Sequence, residues 1–234
     1  MNVEYANLER VSTGPGGLFY GVYPAIVSDI VDPNNQGRVR VRLPWSPDPA
    51  GSTYEVWARL ATMMAGNNRG SWFIPDKDDE VLVAFEGGNP RRPYVVGALW
   101  NGQDAPPEQM DGSGNNYLKT LLSRQGVRIT LDDTDGAVKL RLETPNGQSI
   151  VLSDEDNSIV AEDSNGNSIK MEAQGITITA SAQVQIQAST VEVDAGMVTV
   201  NSGMSQFSGV VQCDTLISNT VISATYMPGV GNLL

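Results

Sequence analysis

"GITITASAQVQIQASTVEVDAGMVTVNS", Gly175 to Ser202, is the stretch on which the fold turns. Ile176, Ile178, Ala180, Ala182, Val184, Ile186 and Ala188 occupy alternate positions, with Thr, Ser and Gln between them. Alternation puts the two classes on opposite faces of an extended chain. Strands usually run about 5–6 residues, and here the pattern holds for 13. The phase then slips: Val191, Val193 and Ala195 are odd, Val198 and Val200 even again. A one-residue slip turns every later side chain to the other face, so a corner or bulge is expected near Thr190 and near Gly196. The apolar face holds Ile, Val and Ala but no Phe, Trp or Leu, which makes a thin core. A single-chain solenoid usually needs wider coils with capping elements. The alternative is three identical chains around a common axis, each supplying one wall of a triangular prism. Small β-branched residues fill such an interior, and edge strands pair between chains.

The stretch ends a longer repetition. "GVRITLDDTDG", "GQSIVLSDEDN" and "GNSIKMEAQG" each run a short alternating strand into a polar turn, with Ile129, Ile150 and Ile169 spaced 21 and 19 residues apart. Strand-plus-turn units at a near-fixed period indicate a solenoid or fibrous β architecture. The first half is different. All but two of the 13 prolines and all four tryptophans (Trp45, Trp57, Trp72, Trp100) lie within residues 1–107. After Tyr117 the only aromatics are Phe207 and Tyr226, and no basic residue follows Lys170. "NGQDAPPEQMDGSGNN", Asn101 to Asn116, reads as the linker at this boundary. Before it, "GVYPAIVSDI", "RVRVRLPW", "EVWARLATM", "DEVLVAFEGG" and "RPYVVGALW" give five short strands separated by turns. Five strands with aromatics to fill a small interior fit a closed β-barrel of OB type.

Composition excludes much. The net charge of −12 and pI near 4.3 argue against nucleic acid or an anionic membrane as partner. The chain has no histidine, which removes the commonest general base and transition-metal ligand. The single Cys213 cannot form a disulfide within the chain, and its uncharged setting after Val210 and Val211 is expected to bury it as an inert thiol. "MNVEYANLERV" has no apolar h-region, so no signal peptide is expected. The uncharged run 195–213 is interrupted throughout by Ser, Thr, Asn and Gln, unlike a membrane span. Carboxylate pairs such as Asp78 with Asp79 and Asp154 with Asp156 sit in turn clusters, so no catalytic residue, enzyme activity or cofactor is expected. "LDDTDG" and "DSNGNS" depart from the calcium-loop order and read as turns. Arg38, Arg40 and Arg42 share one strand face, read as solvated or in polar contact with a neighbouring barrel. The tryptophans read as core or interface anchors.

At "DPNNQGRVRVRLPW" (Asp32 to Trp45) and "FIPDKDDEVLVAFEGGNPRRPYVVGALWNG" (Phe73 to Gly102) the chain resembles phage baseplate assembly protein V and the VgrG spike proteins of contractile injection systems. The motif positions that carry the resemblance are Gly37, Arg38, Val39, Pro44, Trp45, Pro75, Glu80, Val81, Pro93 and Gly97. The family often has Gly-Asp-Glu where this chain has Asp78-Asp79-Glu80. The resemblance implies an all-β homotrimer: an N-terminal arm (1–20), an OB-fold barrel (21–102), a linker (103–120) and a triple-stranded intertwined β-helix needle (121–234). Its core would take Ile176, Ile178, Val184, Ile186, Val191, Val193, Val198 and Val200. It implies a structural spike, assembled in the bacterial cytoplasm, that docks on a separate baseplate hub through the arm and barrel and pierces the target envelope. Without histidine the needle cannot end in a histidine-ligated metal apex. Tyr226, Met227, Pro228, Gly229, Val230, Leu233 and Leu234 are instead expected to accept a PAAR-type tip protein. The rival reading is a trimeric fibre or adhesin whose barrel binds a receptor or glycan.

Overall fold

Val39, Val41 and Leu43 are fully buried while Arg40 between them stays exposed, so the alternation of "RVRVRL" survives in the folded chain. The computed structural model describes residues 17–47 and 53–225. Within them the chain divides into two compact units, the first ending at Gln183 and the second beginning at Val184.

The first unit opens with β1 (Val22–Asp29), β2 (Val39–Pro47) and β3 (Thr53–Leu60), an antiparallel meander. A two-residue hairpin follows, β4 (Ala65–Gly66) with β5 (Arg69–Gly70), which the sequence did not announce. Then come β6 (Glu80–Phe85), a single 3-10 turn at Glu86–Gly88, and β7 (Pro93–Ala98). β1 pairs with β6 antiparallel and β3 with β7 parallel, closing a five-stranded barrel in the order β1-β2-β3-β7-β6. That is the OB arrangement expected from the strand count. Val27, Val39, Val41, Leu43, Val81 and Val83 fill its interior without solvent exposure. Phe19, Tyr23, Trp45 and Phe85 plug one end, with Tyr23 stacked on Trp45 at 4.7 Å and Phe19 edge-on to Trp45 at 5.1 Å. The indole Nε1–H of Trp45 donates to the Pro24 carbonyl at 2.7 Å.

The second sheet is an antiparallel meander of β8 (Leu118–Leu122), β9 (Arg128–Asp132), β10 (Lys139–Glu143), β11 (Ser149–Ser153), β12 (Ser158–Glu162), β13 (Ser168–Glu172) and β14 (Gly175–Thr179). Each period of about 20 residues is therefore a pair of strands: the alternating repeats are β9, β11 and β13, the stretch from Gly175 supplies β14, and β10 and β12 stand between them. Along one edge the same turn recurs. Ser123, Thr144 and Asp163 each accept at the carbonyl from Gly126, Gly147 and Gly166 and donate N–H to Val127, Gln148 and Asn167. These glycines sit at φ of +89, +85 and +84, a region costly to side chains with a Cβ. The first residue of each turn adds a side-chain bond: Ser123 Oγ accepts from Val127 N, Thr144 Oγ1 donates to Gln148 Oε1, and Asp163 Oδ1 accepts from Asn167 N. Loop chemistry of this kind fixes the hairpin register.

In the second unit, residues 184–225 pair with no strand of their own chain. The chain bends at Ser189, Gly196, Gly203, Ser208, Gly209, Asp214, Asn219, Ala224 and Thr225. The first two bends fall at the phase slips near Thr190 and Gly196.

Candidate functional site

The register of the meander aligns two rows of side chains on one face. Leu121, Ile129, Leu142, Ile150, Ala161, Ile169 and Ile178 stand opposite one another strand by strand. So do Lys119, Leu131, Leu140, Leu152, Ile159, Met171 and Ile176. Thirteen of these fourteen are apolar, because a period of two held over seven strands sends one class of side chain to one face. Among the described residues nothing covers most of them: Ile150 is 42% exposed, Ile169 46% and Ile178 62%, while Leu140, Leu142 and Ala161 are half-buried. A contiguous apolar face of this extent marks an interaction surface.

The opposite face is charged and internally paired. Arg141 meets Glu143 at 2.7 Å, and Arg128 meets Glu143 and Glu108. Lys139 meets Glu155 at 2.7 Å, which raises the Lys139 pKa. Glu108, from the 103–120 segment, also accepts from Thr120 Oγ1 at 2.7 Å, so that segment lies ordered across the outer face of β8 and β9. A groove of about 590 Å³ runs there between Trp100, Pro106, Pro107, Met110 and Leu118.

The acidic loops use their carboxylates on themselves. Asp163 binds the side-chain amide and N–H of Asn167 and the N–H and side-chain amide of Asn165, which hold its pKa down at about 2. Asp132 is lowered by the Thr134 hydroxyl and N–H, and Asp111 by the N–H groups of Asn115, Ser113 and Asn116. Those at Asp132 and Asp163 are the turns that the sequence suggested for "LDDTDG" and "DSNGNS".

The barrel motif resolves into local supports. Asp32 accepts from Nε and Nη2 of Arg38 and from the N–H groups of Asn34, Gln36 and Arg38, so its carboxyl is held far below the usual carboxylate range, chiefly by the guanidinium. Gly37 has φ +69 with the Trp72 ring 3.0 Å from where a Cβ would stand. The Arg38 guanidinium lies 5.7 Å from the centre of the Trp57 ring, and Arg40 pairs with Glu55 at 2.9 Å. Two of the three arginines thus find acidic partners in their own chain. Glu80 accepts from the Asn101 side chain at 2.8 Å, Val39 and Val81 are core, Pro93 is buried, and Pro75 lines a groove at the barrel mouth. Pro44 and Gly97 are exposed, with open space around Gly97. Trp45 and Trp57 are half-buried, whereas Trp72 and Trp100 are 75% and 69% exposed and anchor no core of this chain. Asp32 was missed as a key position; its signal was an Asp opening a polar turn six residues before an Arg.

The needle-core candidates stand on the surface of the single chain. Ile176 and Ile178 lie in β14, and Val184, Ile186, Val191, Val193, Val198 and Val200 are each more than half exposed. Cys213 is exposed rather than buried, because no described element packs on that region. Tyr226 to Leu234, the candidate tip-binding run, lies outside the described residues.

Comparison with known proteins gives the same two parts. Residues 23–100 match the Type VI secretion system/phage-baseplate injector OB domain, and residues 139–204 match the phage baseplate V C-terminal trimerisation domain. Type VI secretion system spike protein VgrG1b of Pseudomonas aeruginosa is 28% identical over 134 residues, 54% of this chain and 18% of that protein. VgrG4b of the same organism is 33% identical over 117 residues, 50% of this chain and 14% of the relative. VgrG3 of Vibrio cholerae is 25% identical over 136 residues, 56% and 13% respectively. The chain thus spans less than a fifth of the length of these curated relatives.

Proposed function

We propose that the chain, whose two parts match the injector OB domain and the baseplate V trimerisation domain, is the homotrimeric central spike of a contractile injection system. The observation that supports this reading is the meander's two-row apolar face, ten of whose thirteen apolar side chains stand exposed in a single chain. Burying such a face contributes roughly 25 cal/mol per Å², and two copies of the same face are the cover that needs no other protein. Ile176 and Ile178 of that face, with Val184, Ile186, Val191, Val193, Val198 and Val200, form the needle core, and the bends at Ser189 and Gly196 carry the strand around the prism corners.

The role is mechanical and not catalytic. Backbone groups of 184–225 find partners between chains, so axial load is shared by three strands and no chain peels away without exposing its hydrogen-bonding groups. The barrel end docks on a baseplate hub, and the apolar, Gly- and Pro-broken segment Tyr226–Leu234 seats a PAAR-type tip. Assembly takes place in the bacterial cytoplasm, before the particle fires through a target envelope. After residue 105, 15 acidic side chains stand against 6 basic ones, which discourages adhesion to anionic surfaces.

Sedimentation and denaturing gels test the core of this reading: a trimer that resists SDS without heating is expected, and a folded monomer at micromolar concentration overturns it. Co-purification with candidate hub and tip proteins tests the two ends. A tip that still binds after deletion of 226–234 removes that part of the reading.

A further inference from the structure

We infer that Asn146 is a covalent modification site of this chain. In the turn between β10 and β11 its side chain closes on the nitrogen of Gly147 and loses its amide as ammonia, ahead of the other Asn-Gly pairs. The inference stands whether or not the chain works as a spike.

The chain holds three such pairs, Asn101–Gly102, Asn146–Gly147 and Asn165–Gly166. Glycine carries no Cβ to shield its nitrogen, so that nitrogen can attack Cγ of the preceding Asn. The new N–Cγ bond closes a five-membered succinimide, the Cγ–Nδ2 bond breaks, and the proton of the glycine nitrogen leaves with the ammonia. Water then opens the ring. Cutting the N–Cγ bond gives aspartate; cutting the nitrogen from the main-chain carbonyl gives isoaspartate. Water is the only co-reactant.

The structure separates the three pairs by how freely the Asn side chain can turn toward that nitrogen. Asn101 is held at both ends: Oδ1 accepts from the N–H groups of Gln103 and Asp104 at 2.8 Å, and Nδ2 donates to Glu80 at 2.8 Å and to Asp104 at 3.1 Å. Asn165 is tied to the Asp163 carboxylate, by its N–H at 2.8 Å and by Nδ2 at 3.3 Å. A carboxylate in the turn also opposes the negative charge that develops on the attacking nitrogen. Asn146 has neither restraint. The first residue of its turn is Thr144, whose hydroxyl is engaged with Gln148, and no described residue hydrogen-bonds the exposed Asn146 side chain. The backbone does not favour one turn over its sister: Gly147 and Gly166 sit at φ +85 and +84 and donate to the first residue's carbonyl at 3.1 and 3.4 Å.

Either product places a carboxylate in the turn. Isoaspartate also lengthens the backbone by one methylene between Thr144 and Gln148, whose N–H···O bond of 3.0 Å closes the hairpin. The turn that sets β10 against β11 is thus the one that ages first.

The test ages the full chain in mildly alkaline buffer made with heavy-oxygen water. Peptide mass spectrometry follows the label at each pair, and electron-transfer fragmentation identifies isoaspartate. Conversion at Asn146 is expected to be at least about threefold faster than at Asn165 and about tenfold faster than at Asn101. In urea the three rates should converge. Thr144→Asp supplies the acidic residue that the sister turn has, and is expected to slow Asn146 to about the rate of Asn165; Asp163→Thr is expected to speed Asn165. If either variant loses the native circular dichroism spectrum, the order of rates in the unmodified chain decides. Equal rates in the folded chain, a faster Asn101 or Asn165, the same order in urea, or a folded Thr144→Asp that converts at the original rate each overturn the inference.

Discussion

Arg38 grips Asp32 with both Nε and Nη2, the closer contact at 2.7 Å, across a polar loop of five residues that the same carboxylate ties down through three backbone N–H groups. One side chain thus fixes the path from β1 into β2. Asp32→Asn keeps the shape but loses the charge that the fork requires. It is expected to lower the melting temperature of the barrel by more than Arg40→Ala, whose pair with Glu55 is partly solvent-exposed. Differential scanning calorimetry of the three proteins checks this order.

Acid should undo two of these carboxylates. Asp32 and Asp163 have folded-state pKa values below their unfolded ones, Asp163 at about 2. A depressed carboxyl stabilises the fold above its unfolded value, about 3.9, and that stabilisation is lost as the pH falls toward the folded value. Stability is expected to stay level from pH 7 to about 5 and to fall between about 4 and 2. Asp163→Asn should flatten part of that fall; an unchanged acid limb removes Asp163 from the account.

Asp78 stands at φ +76 where the family often has glycine. The turn is therefore kept, at the cost of holding a Cβ in the left-handed region. Asp78→Gly is expected to stabilise the barrel by up to about 1 kcal/mol, and Asp78→Val to destabilise it by about 1–2 kcal/mol. Urea unfolding followed by tryptophan fluorescence separates the two.

The barrel and the meander should fail separately. Leu43 is fully buried, and Leu43→Ala is expected to cost the barrel about 2–5 kcal/mol while the SDS-resistant oligomer persists. Gly147→Val should cost its turn about 1–2 kcal/mol through φ +85 alone, since a Cβ there would lie at an ordinary 3.5 Å from Ser164. Circular dichroism melts with parallel gels distinguish loss of the barrel from loss of the oligomer.

Most barrel strands were legible because alternation and core burial coincide in "RVRVRL" and "EVLVAF", where one chain supplies both faces of the core. β10 escaped notice because Lys139, Arg141 and Glu143 surround Leu140 and Leu142, so its charge masks its period. The hairpin of β4 and β5 was too short to have a period at all. Asp32 could not be singled out because its role depends on loop geometry, which residue types alone leave open. The expected burial of Cys213 was not met for a different reason. No described element packs on that region, and a sequence pattern states which face wants cover without stating who supplies it.

The meander also sets an order of events. Each of its strands pairs only with its neighbours in sequence, about ten residues away, so its ladder can zip as fast as successive hairpins close. The barrel must bring β1 to β6 and β3 to β7 across much longer loops, yet it owns a complete core. The slower element to close is thus the one able to persist alone. The quicker one stays reversible until three chains meet, so the rate-limiting step of spike formation should depend on concentration: chains wait for one another with finished heads and provisional tails.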